Sequence, residues 1–340
     1  LISKAHVWHV IRSIRAQSGM NPHAKPMIRI AIAVTLLFGL CIAQDKKQDV
    51  WMTDFAAATA KAKAENKDLL VDFTGSDWCG WCIKLDAEVF SHEEFQQAAQ
   101  KNFVLVKIDI RQDKSGMSKE LIAQNDALVF RFGINNFPTL LMLDSETNVY
   151  DMLGYQKGGP GPFNEAMTAK LKKAQGFKAS LAAAAKKEGV ERARAIDDGL
   201  SALPESIMHL NFELMKQVIT LDADGAAGIK DKYAELVTKI EESRLLQAAS
   251  EELKALIMPH IENREGEQAL AKLDAIIAKP KNTIQHQMAL FFKANVIMDV
   301  TRNVQEATAA LMAGKALAPE SPIAQQIDQF LKALKAAGGK

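Results

Sequence analysis

Residues Val71 to Leu85 read V-D-F-T-G-S-D-W-C-G-W-C-I-K-L, and this stretch decides how the first half of the chain folds. The apolar run Leu69 to Phe73 predicts a buried strand, and Thr74 to Asp77 predict a polar turn. Cys79 and Cys82 follow almost at once, ahead of apolar residues at helical spacing. A strand, a turn and a Cys-x-x-Cys pair that opens a helix form a specific context for redox chemistry.

The positions of the two cysteines predict a different role for each. The first turn of a helix presents unpaired N–H groups and the positive end of the helix dipole. We therefore expect a thiolate at Cys79 to be stabilised, with a pKa below the ordinary value of about 8.5. Cys82 lies one turn further along, within reach of a mixed disulfide formed at Cys79. Cys79 is the predicted nucleophile and Cys82 the predicted resolving thiol.

The stretch resembles the thioredoxin superfamily, and a later segment carries the same resemblance. Thioredoxins have V-D-F on the strand before the cysteines, a Trp just before the first cysteine, and an I-P-T-L-type segment further on. Here Val71-Asp72-Phe73, Trp78 and Phe137-Pro138-Thr139-Leu140 match them. The resemblance covers about residues 50 to 175, and it implies an α/β thioredoxin fold with a central mixed sheet and flanking helices.

The resemblance also implies roles for individual residues. Pro138 matches the cis-proline that lies beside the active cysteines and presents backbone to the substrate. Asp72 matches the buried carboxylate that takes part in proton transfer, and Lys107 matches the lysine that pairs with it. The dipeptide between the cysteines is Gly-Trp, not Gly-Pro or Pro-His, so the sequence does not predict the redox poise.

Two tryptophans flank the first cysteine on a turn that is predicted to be exposed. We predict that they form an apolar rim around the sulfur and that the substrate contacts Trp78, Gly80, Trp81, Phe137 and Pro138. Simpler alternatives stay open for three of these positions. The two indoles could pack in the interior, Pro138 could be an ordinary trans loop proline, and the Asp72 carboxylate could be solvated at a strand end.

The sequence predicts neither a metal centre nor a haem site. Structural zinc takes four ligands, whereas the chain after residue 43 has this one pair of cysteines and scattered histidines. Covalent haem attachment needs a His directly after the second cysteine, and the chain has Ile83 there. We predict that the protein uses no cofactor beyond a redox-active Cys79–Cys82 disulfide.

The first 43 residues have the composition of an export signal. They contain five basic residues and no acidic one, and they end in a mostly apolar run, Ile30 to Ala43. A basic flank, a short apolar core and small residues near its end are typical of a secretory signal peptide. The run is shorter than the roughly 20 residues that span a bilayer. We predict cleavage near Ala43-Gln44 and a periplasmic or secreted protein, with an uncleaved anchor as the alternative.

The charge balance argues against nucleic acid as a partner. Removal of residues 1–43 lowers the number of Lys and Arg residues from 42 to 37 and leaves 41 Asp and Glu, a net charge of about −4. Nucleic-acid binding favours clustered positive charge. The expected partners are protein thiols and disulfides together with a thiol electron donor that the sequence does not identify. Contact with a membrane is expected only if the signal segment is not cleaved.

Hydrophobic periodicity predicts the order of elements in the thioredoxin-like part. A helix over 49–67 places Trp51, Phe55, Ala58 and Ala62 on one face. Strands follow at 69–74 and 103–110, and the helix after the cysteines is interrupted near Ser91-His92. A helix over 118–130, a hairpin of strands at 139–143 and 147–152, and a helix from about residue 163 complete the order.

From about residue 174 onward the sequence predicts helices only. Ala, Leu, Lys and Glu dominate, with breaks predicted near Pro204, Asp222 to Gly225, Pro259, Pro280 and Pro319. The last two prolines are 39 residues apart, close to a tetratricopeptide-type period, although the signature residues are poorly kept. We predict a degenerate α-solenoid or a plain helical bundle. The predicted domains are thus 1–43, 44–175 and 176–340.

Two functions fit these features. The first is an exported thiol–disulfide oxidoreductase that acts on protein disulfides as a reductant. The second is a binding module, in which the thioredoxin-like part is a docking platform and the helical part recognises a protein partner. The intact Cys-x-x-Cys pair favours the first function, because a platform does not need two cysteines. The helical part is expected to add binding and no catalytic residue.

Overall fold

The computed structural model of the protein describes residues 50–338. The predicted signal peptide, residues 1–43, and its cleavage near Ala43-Gln44 lie outside the described residues. Within them, the chain first builds a mixed sheet flanked by helices and then continues as helices alone.

Five strands form the sheet. They are β1 (Trp51–Met52), β2 (Asp68–Thr74), β3 (Phe103–Asp109), β4 (Thr139–Leu143) and β5 (Val149–Leu153). Their order across the sheet is β1-β3-β2-β4-β5. The strands β1 and β2 run parallel to β3, whereas β4 runs antiparallel to both β2 and β5. All residues of β2 and β4 are buried, as expected for central strands made of nearly continuous apolar residues.

The helices of this part pack on the sheet through two aromatic clusters. One cluster joins Trp51, Phe90, Phe95 and Phe163, and the other joins Phe55, Phe73 and Phe132. A π-helix, Asp86–Phe90, extends the helix Gly80–Leu85 until the chain breaks at Ser91-His92, where an interruption was predicted. Apart from strand β1, which was not predicted, the predicted order of elements is confirmed. The helices are α1 (Phe55–Glu65), α2 (Gly80–Leu85), α3 (Glu93–Gln100), α4 (Lys119–Phe132) and α5 (Pro160–Lys173).

The predicted start of the first helix is wrong. That helix begins at Phe55, because the Asp54 side chain accepts the Ala57 N–H at 2.9 Å and caps the helix there. Trp51 belongs instead to edge strand β1, which pairs with β3. Trp51 is nevertheless buried. The apolar spacing therefore identified a core residue correctly and assigned it to the wrong element.

Residues 174–338 form helices and connecting turns, and none of these described residues lies in a strand. The predicted breaks at Pro204, Pro280 and Pro319 are confirmed, since each lies just before a new helix. The predicted break near Pro259 is confirmed, three residues further on: the proline lies in the last turn of a helix that ends at Glu262, where it removes a hydrogen bond only near the helix end. The helices are α6 (Gln175–Ala184), α7 (Gly189–Ser201), α8 (Glu205–Met208), α9 (Phe212–Leu221), α10 (Lys230–Glu262), α11 (Gly266–Ala278), α12 (Thr283–Val300), α13 (Val304–Leu317) and α14 (Pro322–Gly338).

The second half of α10 and the four helices after it share one apolar core. Buried residues from each of the five helices contribute to it, among them Leu253, Leu273, Ile297, Leu311 and Ile327. Successive helices pack against each other, α11 on α12, α12 on α13 and α13 on α14. A tetratricopeptide-type repeat in this region stays a prediction.

Three polar contacts connect the second part of the chain to the thioredoxin-like part, two at the sheet and one at helix α4. The Lys178 ammonium lies 2.7 and 2.9 Å from the two carboxylate oxygens of Asp68 at the start of β2. The Asn211 side chain pairs with both backbone groups of Val149 on edge strand β5, at 2.7 and 2.9 Å. The Arg244 guanidinium donates to the carbonyl oxygen of Arg131, in the last turn of helix α4, at 2.9 Å. The predicted domain boundary at residue 175 falls at the start of α6, which only Ala174 separates from α5.

Candidate active site

Cys79 and Cys82 form a disulfide at the start of α2. Cys79 is the N-cap of this helix, and its Sγ accepts the Cys82 N–H at 3.2 Å. The Cys79 sulfur therefore receives a hydrogen bond in the first turn, at the positive end of the helix dipole. Cys79 is 6% exposed and Cys82 is 3% exposed, so a reaction partner reaches the pair through a narrow opening.

The turn before the cysteines is anchored to the end of β3 by side-chain hydrogen bonds. Ser76 donates to Asp109 from its backbone N–H at 2.9 Å and from its hydroxyl at 2.6 Å. The Asp77 carboxylate accepts the backbone N–H groups of Gln112 and Asp113. The hydrogen bond from the Asp113 N–H is the main reason why the pKa of Asp77 lies below its ordinary value. Asp77 therefore stays ionised and holds the turn against the neighbouring loop.

Trp78 lies over this turn in a defined orientation. Its indole Nε1 donates to the carbonyl oxygen of Ile110 at 2.6 Å, and its ring meets Phe137 edge-on at 5.4 Å between centroids. A Cβ atom at Gly75 would lie closer than 3.0 Å to three atoms of the indole, so only glycine leaves room for the ring there. The Phe137–Pro138 peptide bond is cis, as the resemblance implied. Trp78 thus connects the cysteine turn to the segment that contains the cis-proline.

Trp81 lies between the two cysteines in sequence and is 55% exposed. Its ring packs on Tyr155 at 4.9 Å between centroids, and the Lys84 ammonium lies 5.4 Å and 5.3 Å from the centroids of these two rings. The Tyr155 hydroxyl donates to Glu88 at 2.7 Å, and Lys84 is 3.7 Å from the same carboxylate. Trp78 is also exposed, at 40%. Both indoles therefore present apolar surface beside the disulfide, which favours the predicted rim over interior packing.

Asp72 is buried in the middle of β2, with 2% of its surface exposed. Desolvation raises the pKa of this carboxyl to about 7, the positive charge of Lys107 opposes the shift, and the negative charges of Asp86 and Asp109 add to it. The Oδ1 atom of Asp72 has no hydrogen-bond partner among the described residues. A buried carboxyl that changes protonation near neutral pH can exchange a proton with a nearby thiol. The structure therefore excludes the alternative of a solvated strand-end carboxylate.

The implied pairing of Lys107 with Asp72 needs a correction. The two residues face each other in the register of β2 and β3. The Lys107 ammonium nevertheless lies 3.1 Å from Asp86, on the π-helix that follows the cysteine helix, and it forms no ion pair with Asp72. Asp86 is partly in solvent, so the ion pair there avoids the cost of desolvating both charges. Lys107 acts on Asp72 through its field alone.

The sequence analysis did not identify several residues of this site. Gly75, Lys84, Asp86 and Tyr155 were not predicted to belong to it. The sequence held a weak indication of two of them. Gly75 is a glycine in the predicted turn, and Asp86 is a carboxylate one helical turn after Cys82. Tyr155 follows β5, more than 70 residues from the cysteines, and no spacing pattern connects it to them. Its contact with Trp81 depends on the packing of the sheet.

The described residues contain no group of three or more His, Cys, Asp or Glu side chains arranged to hold a metal ion. No helix in the same range has the length and apolarity required to cross a membrane.

Known proteins share these features. The thioredoxin-like family matches residues 50–145. The disulfide bond reductase DsbH of Chlamydia pneumoniae is 30% identical over 118 residues, which are 35% of this chain and 70% of DsbH. The chain belongs to the thioredoxin-like family. Its intact Cys79–Cys82 pair makes it a thiol–disulfide oxidoreductase.

Other known proteins match different shares of the chain. The thioredoxin-related protein DsbJ of Chlamydia pneumoniae is 33% identical over 125 residues, 35% of this chain and 36% of DsbJ. A solved DsbH oxidoreductase is 26% identical with a TM-score of 0.34, covering 46% of this chain and 97% of the other. The oxidised C-terminal domain of Neisseria meningitidis DsbD is 21% identical with a TM-score of 0.26. The match covers 34% of this chain and 90% of that domain.

Proposed function

We propose that this oxidoreductase reduces disulfides in proteins outside the cytoplasm and that a thiol donor then restores its own cysteines. The observation that carries the proposal is the position of the Cys79 sulfur, at the N-cap of α2 with the Cys82 N–H directed at it. This position stabilises negative charge on Cys79 once the disulfide is reduced. The name of the relative DsbH, a disulfide bond reductase, supports the direction of electron transfer.

The proposed reaction transfers two electrons from the cysteine pair to the substrate. The Cys79 thiolate attacks one sulfur of the substrate disulfide, so a mixed disulfide forms and the other substrate sulfur leaves as a thiolate. Asp72 then accepts the proton of Cys82. The Cys82 thiolate attacks the Cys79 sulfur, forms the Cys79–Cys82 disulfide and releases the second substrate thiolate. A donor dithiol reduces this disulfide by the same two exchanges.

The surface around the pair is proposed to hold the substrate during both exchanges. Trp78 and Trp81 supply exposed rings on either side of Cys79. Backbone groups of the cis-proline segment are proposed to align an extended substrate strand. The residues proposed to contact substrate are Trp78, Gly80, Trp81, Phe137 and Pro138. Lys107 is proposed to act by its charge on Asp72.

Export and partner binding by the helical part belong to the same proposal. Export is supported by the basic, then apolar composition of residues 1–43. N-terminal sequencing of exported protein tests it, with a start near Gln44 expected. The helical part, residues 176–340, is proposed to recognise protein partners through its surface and to supply no catalytic group.

Reduction of insulin by the chain and a thiol donor tests the proposed chemistry. Cys79→Ser is expected to abolish turnover, whereas Cys82→Ser is expected to accumulate a mixed disulfide with the substrate. Faster alkylation of Cys82 than of Cys79 in the reduced protein would contradict the assigned roles. The redox potential tests the direction. A value near that of thioredoxin, about −270 mV, is expected, and a value near about −120 mV would identify an oxidant instead.

A further inference from the structure

A groove of about 540 Å³ lies next to the active-site helix, beside the tilted pair of rings of Trp81 and Tyr155. Three parts of the chain line it. These are the helical segment after the cysteines, the break before α3, and the loop between β5 and α5. The lining side chains used below are Lys84, Glu88, His92, Tyr155 and Lys157.

The wall nearest the disulfide is held in place by polar contacts. The Tyr155 hydroxyl donates to Glu88 at 2.7 Å, and the Lys84 ammonium lies between this carboxylate and the two rings. A cation placed over aromatic rings is attracted to their faces. Trp81 and Tyr155 therefore form a fixed apolar surface, and a segment bound at the sulfur of Cys79 would extend across it.

The charges of the groove do not balance. Glu88 is the one acidic side chain that lines it, and Tyr155 and Lys84 already occupy that carboxylate. Lys157 and His92 are exposed, and neither forms an ion pair within the described part of the chain. The Lys157 end of the groove therefore carries a positive charge that no acidic side chain lining the groove balances.

We propose that this groove binds an acidic side chain of the substrate, close in sequence to the cysteine whose disulfide is reduced. The occupant is an extended polypeptide segment with an apolar residue on the Trp81–Tyr155 rings and an Asp or Glu beside Lys157. The inference rests on the proposed function, because it names the class of disulfide that the reductase prefers. Attraction between exposed charges is modest and is screened by salt, so the selectivity depends on ionic strength.

The test compares matched disulfide peptides that differ only in the residues beside one cysteine, which are Asp and Glu in one peptide and Lys and Arg in the other. The full chain is expected to reduce the acidic peptide with about 3- to 10-fold higher kcat/KM at low salt, mainly through KM, and this ratio is expected to approach one at high salt. Lys157→Glu is expected to remove or reverse the preference. Lys272→Glu, the same charge change on an exposed lysine of α11, is the matched control and is expected to keep it.

Two further readouts separate failure of the groove from failure of the proposed function. If a small uncharged disulfide is reduced but the two peptides react equally, or if both lysine variants act alike, the groove proposal is wrong and the reductase function stands. If the small disulfide is not reduced, the proposed function is wrong. Binding of the same peptides with alkylated cysteines, followed by tryptophan fluorescence, then tests the groove alone. Tighter binding of the acidic peptide that Lys157→Glu abolishes would support the groove, and equal binding would overturn it.

Discussion

Strand β2 carries two buried carboxylates, Asp68 at its first residue and Asp72 four residues later, and their surroundings differ completely. Asp68 accepts hydrogen bonds from Lys178 at 2.7 and 2.9 Å and from the Tyr150 hydroxyl at 2.8 Å. Burial and the charge of Asp68 raise the pKa of Tyr150, so its hydroxyl remains a neutral donor. Asp72 has an oxygen without any partner among the described residues and a pKa raised to about 7.

This difference separates a carboxylate that holds the fold together from one that can change its protonation. A buried carboxylate with a full set of partners joins the elements around it, here the sheet and helix α6. A buried carboxyl without partners is costly to ionise, and its proton is therefore available for exchange near neutral pH. The same residue type on one strand thus has a structural role at Asp68, whereas Asp72 is the position proposed to take part in the chemistry.

Removal of the partner of Asp68 is the largest expected loss of stability. Lys178→Met leaves a buried carboxylate without its counter-charge, and we expect the free energy of unfolding to fall by about 3 kcal/mol, the lower part of the range for buried pairs because Lys178 is partly exposed. Urea denaturation measures this change. The double variant Asp68→Asn/Lys178→Met is expected to recover part of the loss. Reduction of a small disulfide is expected to persist, and a variant as stable as the parent would show that α6 does not hold the sheet.

Asp72→Asn is expected to have the opposite effect on stability. The carboxyl has a pKa of about 7 in the folded chain and 3.8 as the reference value, so the folded state binds more protons between these two values. The protonated carboxyl therefore makes its full contribution to the free energy of unfolding below about pH 4, and this contribution is lost as the pH rises to about 7. At about 1.4 kcal/mol per pKa unit, removal of the carboxylate is expected to stabilise the oxidised protein by up to about 4 kcal/mol at pH 8.

Denaturation of the oxidised parent and of Asp72→Asn at pH 5 and pH 8 measures this second prediction. The difference in stability between the two proteins is expected to grow from the lower to the higher pH. Release of the mixed disulfide, which requires deprotonation of Cys82, is expected to become slower in the variant. An identical pH dependence in both proteins would show that Asp72 does not titrate in this range.

Asn211→Ala tests the contact of the helical part with the sheet edge. The substitution leaves the N–H and the carbonyl group of Val149 without the side chain that now pairs with both. Loss of hydrogen-bond partners for buried groups costs about 1–3 kcal/mol. Denaturation measures the loss, and amide exchange at Val149 is expected to accelerate. Unchanged exchange there would show that water or another group replaces the asparagine.

Gly75→Ala is expected to affect activity more than stability. The added methyl group overlaps the Trp78 ring, which must move away from Ile110 and Phe137. We expect a stability loss of about 1 kcal/mol, together with a change in tryptophan fluorescence and a lower kcat/KM for protein disulfides. Gly176→Ala in helix α6, outside the proposed substrate surface, is the control, since a Cβ atom at Gly176 meets no atom within 4 Å. Equal effects of the two substitutions would contradict the proposed role of Trp78.

The sequence by itself determined the cysteine pair, the strand before it and the helix that it opens, because these features depend on short-range patterns. An apolar run, a polar turn and two cysteines one helical turn apart are all contained in fifteen neighbouring residues, Val71 to Leu85. The order of elements and the absence of strands after residue 174 within the described range follow from periodicity in the same way.

The tertiary structure decided which distant groups complete the site. Lys107 faces Asp72 in the strand register but turns to Asp86, because that carboxylate lies at the surface, where two charges keep part of their hydration. Tyr155, which follows β5, meets Trp81 in the first turn of the cysteine helix, a contact that only the packing of distant segments creates. The contrast between Asp68 and Asp72 has the same origin. Both are an Asp in an apolar run, and only the packing of Lys178 and Tyr150 against the first of them gives one carboxylate hydrogen-bond partners that the Oδ1 atom of the other lacks among the described residues.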